Sequence, residues 1–238
     1  MIAQAPGWAL GVALLAAVSG IPLRRVLQRL SYRAESESGA EHPGSRWWVP
    51  PVLGGLGWLL VTRVGQEATL TAPAQAVLLI TLLLVAFGCV ALAAIDLDVH
   101  RLPDRLLAPC GGVLLTGLSL VSLLGAGAGP WWRALLCALA SGIFYLLLAS
   151  LSLARGSVAV GLGDVKLSLL LGAALGWFGV GNTVVGVYAG FVAGGVMALA
   201  LLFTRQVSLR GHVAYGPPMM AGALVGIMLP AGSVASLF

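Results

Sequence analysis

Charged side chains are scarce in this chain. Asp, Glu, Lys and Arg make up 9% of the 238 residues, whereas an average soluble domain is about one quarter charged. Hydrophobic residues make up 59%, and the mean hydropathy is +1.01. This balance excludes an ordinary soluble protein and predicts an all-α membrane protein with several spans. The 33 glycines agree with close packing of helices in lipid.

Cysteine is also rare. Cys89, Cys110 and Cys137 stand singly in apolar segments, and the sequence has no C-x-x-C pair. Neither a structural zinc site nor a disulfide framework is supported by this spacing. We predict three buried thiols that pack as small hydrophobic groups, and we predict no metal site.

A spanning helix needs about 20 mainly apolar residues, and the chain offers eight candidates. They cover residues 5–23, 46–62, 72–95, 106–127, 131–153, 165–180, 183–204 and 213–235. The second and sixth candidates are short and rich in glycine. We therefore predict a bundle of about eight transmembrane helices in one domain, residues 1–238, in contact with membrane lipid.

The net charge of +5 would suit a nucleic-acid partner, but the basic residues follow the loops between spans, as membrane topology requires. With the N-terminus outside, 11 basic residues are cytoplasmic and two, Arg63 and Arg133, are external. The cytoplasmic ones are Arg24, Arg25, Arg29, Arg33, Arg46, Arg101, Arg105, Arg155, Lys166, Arg205 and Arg210. This split predicts that both termini are outside, that residues 24–45 form a short cytoplasmic loop without zinc-type cysteines, and that nucleic acid is not a partner.

All four aspartates lie in two short polar runs, IDLDVHRLPD from Ile95 and GLGDVK from Gly161. Ionisable groups beside hydrocarbon are expensive and mark functional sites by default. Two predicted spans separate the runs, so the chain returns to the face that it left. We therefore expect Asp96 and Asp164 at the cytoplasmic face, where they can meet.

In the first run, Asp96 follows an apolar segment directly and has no basic neighbour until Arg101. A helix C-terminus disfavours a negative charge, which suits a proton donor or a shared proton there. Asp98 is two residues further on and is expected to face elsewhere, as an accessory group. Pro103 is expected to break the helix. Asp104 is expected either to cap the next helix or to take part in the site.

In the second run, Gly161 and Gly163 permit unusual backbone conformations or close approach of another chain, which would suit an extended substrate. Lys166 is expected to pair with a carboxylate or to neutralise charge on the substrate. The alternative is that Asp164 is only the N-cap of the sixth helix, with Lys166 as an anchor on the inner face.

Together the two runs resemble those of the type IV prepilin peptidases, a bacterial family of GxGD aspartyl proteases. The similarity lies in Asp96 followed by Leu102-Pro103-Asp104, in Gly161-Leu162-Gly163-Asp164-Val165-Lys166 and in the apolar segment after it. Tyr215-Gly216-Pro217-Pro218 and the stretch from Gly20 to Leu30 look like the family as well.

The resemblance implies that Asp96 and Asp164 are catalytic. It implies a multi-pass aspartic endopeptidase of the bacterial cytoplasmic membrane, acting in type IV pilus assembly or protein secretion. Its partners would be prepilin or pseudopilin precursors, whose leader it removes. No cofactor is implied for proteolysis. Many members also N-methylate the product with S-adenosylmethionine. Their first loop often carries two C-x-x-C pairs, which residues 24–45 lack.

Two other classes fit parts of this pattern. A proton- or cation-coupled transporter also uses carboxylates in the membrane, but near the bilayer midplane. A noncatalytic scaffold would use the aspartates only as helix caps. The sequence leaves open the substrate, methylation, the oligomeric state, and which of Asp96 and Asp164 is acid and which is base.

Overall fold

The structure, a computed structural model, describes residues 6–29, 32–33, 44–154, 161–203 and 214–230. Within these ranges it has eight α-helices and no strand. The helices are α1 (Pro6–Gln28), α2 (Val49–Gly65), α3 (Ala72–Val99), α4 (Asp104–Val121), α5 (Ala128–Ala154), α6 (Leu162–Phe178), α7 (Val180–Phe203) and α8 (Gly216–Met228). A π-helical turn, Ser122–Ala126, follows α4.

The eight helices match the eight predicted spans one for one, which confirms an all-α polytopic membrane protein. Five of them, α1, α3, α4 with its π-turn, α5 and α7, are long and apolar enough to cross a bilayer. Two others, α2 and α8, are apolar but shorter. The sixth helix has 17 residues, as short as predicted. The predicted span 213–235 extends beyond α8 into residues outside the described ranges.

Most helix boundaries differ from the predicted spans by a few residues, and α3 continues to Val99 instead of ending at residue 95. The first helix continues to Gln28, so Arg24 and Arg25 lie on its last turns rather than in the loop. The fourth ends in the π-turn, where Gly125 has φ 118°, a conformation that glycine adopts without steric cost. The third helix ends at Val99 and the fourth begins at Asp104, so the helix break predicted at Pro103 is confirmed.

The described chain forms two compact units. The first comprises residues up to Val99 together with Arg105–Gly127. Its core joins α1, α2 and α3 around side chains that include Leu27, Leu53 and Ile95. This packing reaches the C-terminal end of α3 and fixes the last turns of that helix, which carry Asp96 and Asp98.

The second unit comprises His100–Asp104 and the chain from Ala128 onward. Here glycines bring helices into close contact. A Cβ atom on Gly172 would lie 2.8 Å from the carbonyl oxygen of Cys137, and one on Gly222 would lie 2.5 Å from that of Gly186. The pairs α5–α6 and α7–α8 therefore pack backbone to backbone, as small residues allow in lipid. This packing holds α6, the helix of Asp164, against α5.

Candidate functional site

Asp96 lies in the last turn of α3 in the first unit. It is 4% exposed, and the last turn of α3 has no basic residue. Its neighbours Ala94 and Ile95 belong to the core of the unit. The carboxyl group lies at the negative end of a helix, as the sequence predicted, and the structure adds that it is buried, which is expected of a functional acid.

Asp98 has a role that the sequence analysis missed. Its two carboxylate oxygens accept hydrogen bonds from Arg33, at 2.6 Å from Nη2 and 2.9 Å from Nε. Oδ2 also accepts one from the Tyr32 hydroxyl at 2.5 Å. The bond to Asp98 raises the pKa of Arg33, and burial together with the bond to Asp98 raises the pKa of Tyr32. Asp98 thus ties the chain after α1 to the end of α3.

Arg46 completes this network from the other end of the first loop. Its Nη2 lies 3.4 Å from Asp98 Oδ2 and donates to the Tyr32 hydroxyl, and its Nη1 donates to the carbonyl oxygen of Leu27 at 3.0 Å. Arg46 is 4% exposed and has φ 47°, which is uncommon for a residue with a side chain. We call Tyr32, Arg33, Arg46 and Asp98 the Asp98 network. The distribution of basic residues predicted only the side of the membrane on which these arginines lie. Nothing in the sequence indicated that they interact with Asp98.

The segment before α4 belongs to the second unit. Pro103 is half-buried, and Asp104 is the first residue of α4 rather than the residue that caps it. Its oxygens accept hydrogen bonds from Lys166 Nζ at 2.7 and 2.6 Å. Both side chains are largely exposed, 66% for Asp104 and 50% for Lys166. The expected pairing of Lys166 with a carboxylate is therefore confirmed, and Asp104 is its partner.

Asp164 lies in the first turn of α6, but it is not the N-cap. Gly161 takes that position, with extended backbone angles, φ −85° and ψ 160°. The Asp164 Oδ2 atom accepts a hydrogen bond from the Gly161 backbone N–H at 3.0 Å. This is one half of a capping box, in which the third helical residue reaches back to the cap. One carboxylate oxygen therefore fixes the helix start.

The two glycines of the second run act differently. Gly161 has an ordinary φ, so the unusual backbone expected there is absent. A Cβ atom on Gly163 would lie 3.1 Å from the Cβ atom of Leu102. Gly163 therefore allows the segment of the first polar run to lie close to α6, while the close approach of a substrate chain stays a prediction.

Two tyrosines of the second unit interact electrostatically with Asp164: Tyr145 from α5 and Tyr215 before α8. Their rings pack at a centroid distance of 6.4 Å. Nothing in the sequence distinguished Tyr145 from the other residues of its apolar segment. Tyr215 was noted only as part of Tyr215-Gly216-Pro217-Pro218. Only the crossing of α5 and α6 brings Tyr145 to this place.

The chemistry of the site is that of carboxyl groups. In the described part of the chain, no group of three or more His, Cys, Asp or Glu side chains is arranged to hold a metal ion. Asp96 and Asp164 lie in different units, so their convergence stays a prediction. Both acids lie in terminal turns of their helices, whereas the transporter hypothesis requires acids near mid-span. No feature of the described residues favours transport.

Comparison with known proteins agrees with the motifs. Proteins named prepilin leader peptidase/N-methyltransferase are similar to this chain. The one from Aeromonas salmonicida is 33% identical over 150 residues, which cover 61% of this chain and 48% of the relative. The one from Burkholderia pseudomallei is 34% identical over 145 residues, 58% of this chain and 44% of the relative. The matches thus extend over about half the length of these relatives. No solved structure is significantly similar to the chain.

The pattern of one protein family matches residues 82–203, more than half of the chain. The matched segment begins within α3, ends with α7 and contains both Asp96 and Asp164. Multiple apolar helices and these relatives identify a multi-pass protein of the bacterial inner membrane. The chain belongs to the type IV leader peptidase family.

Proposed function

We propose that this chain is an aspartic endopeptidase that removes the leader from prepilin or pseudopilin precursors at the cytoplasmic face of the membrane. The observation that carries the proposal is the placement of two acids within the family-matched segment. Asp96 is buried in the last turn of α3, and Asp164 stands in the first turn of α6. The prepilin substrate is suggested by the names of the relatives.

The proposed chemistry needs only the two carboxyl groups and water. Two acids that share one site cannot both ionise at low cost, so one of them keeps its proton. The ionised acid takes a proton from water, whose oxygen attacks the carbonyl carbon of the scissile peptide bond. The protonated acid polarises that carbonyl, and the amide nitrogen leaves with a proton. The pair titrates as a unit, so the two roles are not assigned individually.

The hydrogen bond from Gly161 would fix the orientation of the Asp164 carboxylate. Oδ2 is engaged by the N-cap, which holds the plane of the group. The Asp98 network would hold the end of α3, and the Asp104–Lys166 pair would hold the chain beside Gly163, where an extended peptide can approach.

Mass spectrometry of a purified prepilin precursor, incubated with the purified protein, tests the proposal. We expect the wild type to cut the precursor before its hydrophobic segment. We expect Asp96→Asn and Asp164→Asn each to lower the rate by about a thousandfold or more, as loss of a catalytic group typically does. Asparagine keeps a capping oxygen, so a scaffold would tolerate it. Robust cleavage by the Asp164→Asn protein would contradict the mechanism.

The relatives' name also includes N-methylation, for which S-adenosylmethionine would be the methyl donor. One cavity in the second unit has a volume of about 10 Å³, and a groove between α3 and α4 in the first unit has a volume of about 500 Å³. The groove is lined by Val, Ile, Leu, Thr and Gly, without a charged group for the amino-acid part of that donor. Neither cavity fits it. The same assay with the donor added would report a methyl increment separately from cleavage.

A further inference from the structure

An aromatic cluster lies beside Asp164 in the second unit. It consists of Tyr145 from α5, Phe191 from α7 and Tyr215, the residue before α8. The Tyr145 and Phe191 rings are stacked, with centroids 5.6 Å apart and planes 13° from parallel. The Phe191 and Tyr215 centroids are 6.0 Å apart. The rings alone account for the packing, so phenylalanine would serve equally well at both tyrosine positions.

The packing of the rings therefore does not explain why both residues carry a hydroxyl group. Tyr145 is 2% exposed. The Tyr215 hydroxyl is buried and has no hydrogen bond of normal geometry within the described residues. The Tyr145 hydroxyl is its polar partner, and a pair of hydroxyl groups uses only one of its two protons between them. Burial of a hydroxyl proton without a good acceptor destabilises the folded protein. A buried group that destabilises the fold in this way is expected where the group has a function.

Polar groups continue from Asp164 along one face of α6. Ser168 follows Asp164 by one helical turn, so both side chains lie on the same face. Ser168, Ser141 and Tyr145 share the lining of a cavity of about 10 Å³, about the volume that one water molecule requires. Tyr145 thus lines this cavity, packs against Tyr215 and lies within electrostatic reach of Asp164.

We propose that Tyr145 and Tyr215 are positioning residues for Asp164. In the substrate complex their hydroxyl groups donate hydrogen bonds to its carboxylate and orient it toward the scissile bond. The inference rests on the proposed function, and it adds two residues outside the sequence motif of the acid itself. Tyr145 would take part from α5, and Tyr215 from the segment before α8.

The inference predicts a change in the pH dependence of cleavage. Donors to a carboxylate favour its ionised form, so their loss moves ionisation to higher pH. The other charged or titratable groups on the elements beside Asp164 are the same in all the tyrosine variants, and they include His100 and Arg101 in the segment before α4 and Cys137 on α5. Lys166 is paired with Asp104, α7 offers only the exposed Tyr188, and the described part of α8 has no titratable side chain. Arg133 is held at the opposite end of α6 by the Gly176 carbonyl. Asp96 shares the reaction in the proposed mechanism and is present in every variant.

The test is the pH profile of kcat/KM for prepilin cleavage by the wild type, Tyr145→Phe, Tyr215→Phe and Tyr188→Phe. Tyr188→Phe is the matched control, because its side chain is 70% exposed on α7. We expect Tyr145→Phe and Tyr215→Phe each to lower kcat/KM by about tenfold or more, as for a lost hydrogen bond to a charged group. We also expect the acidic limb of each profile to move to higher pH, while the control stays at the wild-type profile.

The outcomes separate this inference from the proposed function. A wild type that does not cleave would overturn both. A wild type that cleaves and an inactive Asp164→Asn protein would sustain the proposed function, whatever the tyrosine variants do. In that case, unchanged profiles would overturn the positioning role, and so would a uniform loss of rate without a shift in pH. If Tyr145→Phe does not fold, Tyr215→Phe alone decides, because it removes one hydroxyl from the edge of the cluster.

Discussion

At the scale of single residues, the Asp98 network combines charge with burial. Asp98 and Arg33 each expose 5% of their side chains, whereas the Asp104–Lys166 pair is largely exposed. Removal of one partner from a buried pair leaves the other charge uncompensated, while an exposed pair contributes at most about 1 kcal/mol. The structure therefore assigns different consequences to two aspartates of the same sequence run.

We predict that Asp98→Asn lowers the midpoint of thermal denaturation in detergent clearly more than Asp104→Asn does. The neutral amide leaves Arg33 and Arg46 facing each other without the carboxylate, whereas Lys166 returns to solvent when its partner is lost. Differential scanning fluorimetry of both variants and the wild type measures the difference. Equal midpoints for the two variants would contradict the buried network.

Tyr32 gives this network a pH dependence. Burial and the hydrogen bond to Asp98 raise its pKa above the usual value, which is about 10 for tyrosine. The folded protein therefore holds this proton more tightly than the unfolded chain does. The contribution of Tyr32 to stability is complete below pH ~10 and is lost as the pH rises through the raised pKa.

An ultraviolet titration of tyrosinate, with the Tyr32→Phe protein subtracted from the wild type, isolates this group among the four tyrosines of the chain. We expect the difference curve to have its midpoint above pH ~10. A midpoint at or below the value for a free tyrosine would show that the hydroxyl is neither buried nor bound to Asp98.

At the scale of helices, glycine sets the distances at which α5 meets α6 and α7 meets α8. A Cβ atom on Gly222 of α8 would lie 2.5 Å from the Gly190 Cα atom on α7, which a real side chain cannot tolerate without separation of the helices. Gly195, on the same α7, has nothing within 4 Å of such a Cβ atom. The two positions distinguish a packing glycine from one with open space.

We predict that Gly222→Ala destabilises the protein by about 1–3 kcal/mol, the usual cost of overpacking. Gly195→Ala should be neutral or stabilising by up to about 1 kcal/mol, because alanine favours the helix. Denaturation of both variants in the same detergent measures the effect. If both variants denature like the wild type, α7 and α8 are not packed backbone to backbone.

At the scale of the whole molecule, hydropathy alone was enough to predict all eight helices, because apolar length is a strong signal in a membrane protein. The positions of the basic residues were used to assign the loops between helices, but they did not predict which side chains contact one another. Arg33 and Arg46 counted only as cytoplasmic charges, although both bind Asp98. These contacts join residues far apart in the chain, and hydropathy contains no information on them.

The site could be predicted only in part, for the same reason. The position of Asp96 at the end of a helix and the break at Pro103 follow from local pattern, whereas the burial of Asp96 does not. Asp164 was expected as an N-cap in the noncatalytic hypothesis, but Gly161 takes that position and Asp164 reaches back to it. Tyr145 lies within electrostatic range of Asp164 and packs against Tyr215 only because glycines allow the helices of the second unit to pack closely.

The central claim is that Asp96 and Asp164 act together on one peptide bond. Chemical cross-linking tests it most directly, in an Asp96→Cys, Asp164→Cys protein whose three native cysteines have been replaced by alanine. We predict that a short bifunctional thiol reagent joins positions 96 and 164 within one chain, as a single intramolecular product in the mass spectrum. If both thiols react with a monofunctional reagent but are never cross-linked within a chain, the shared catalytic site is contradicted.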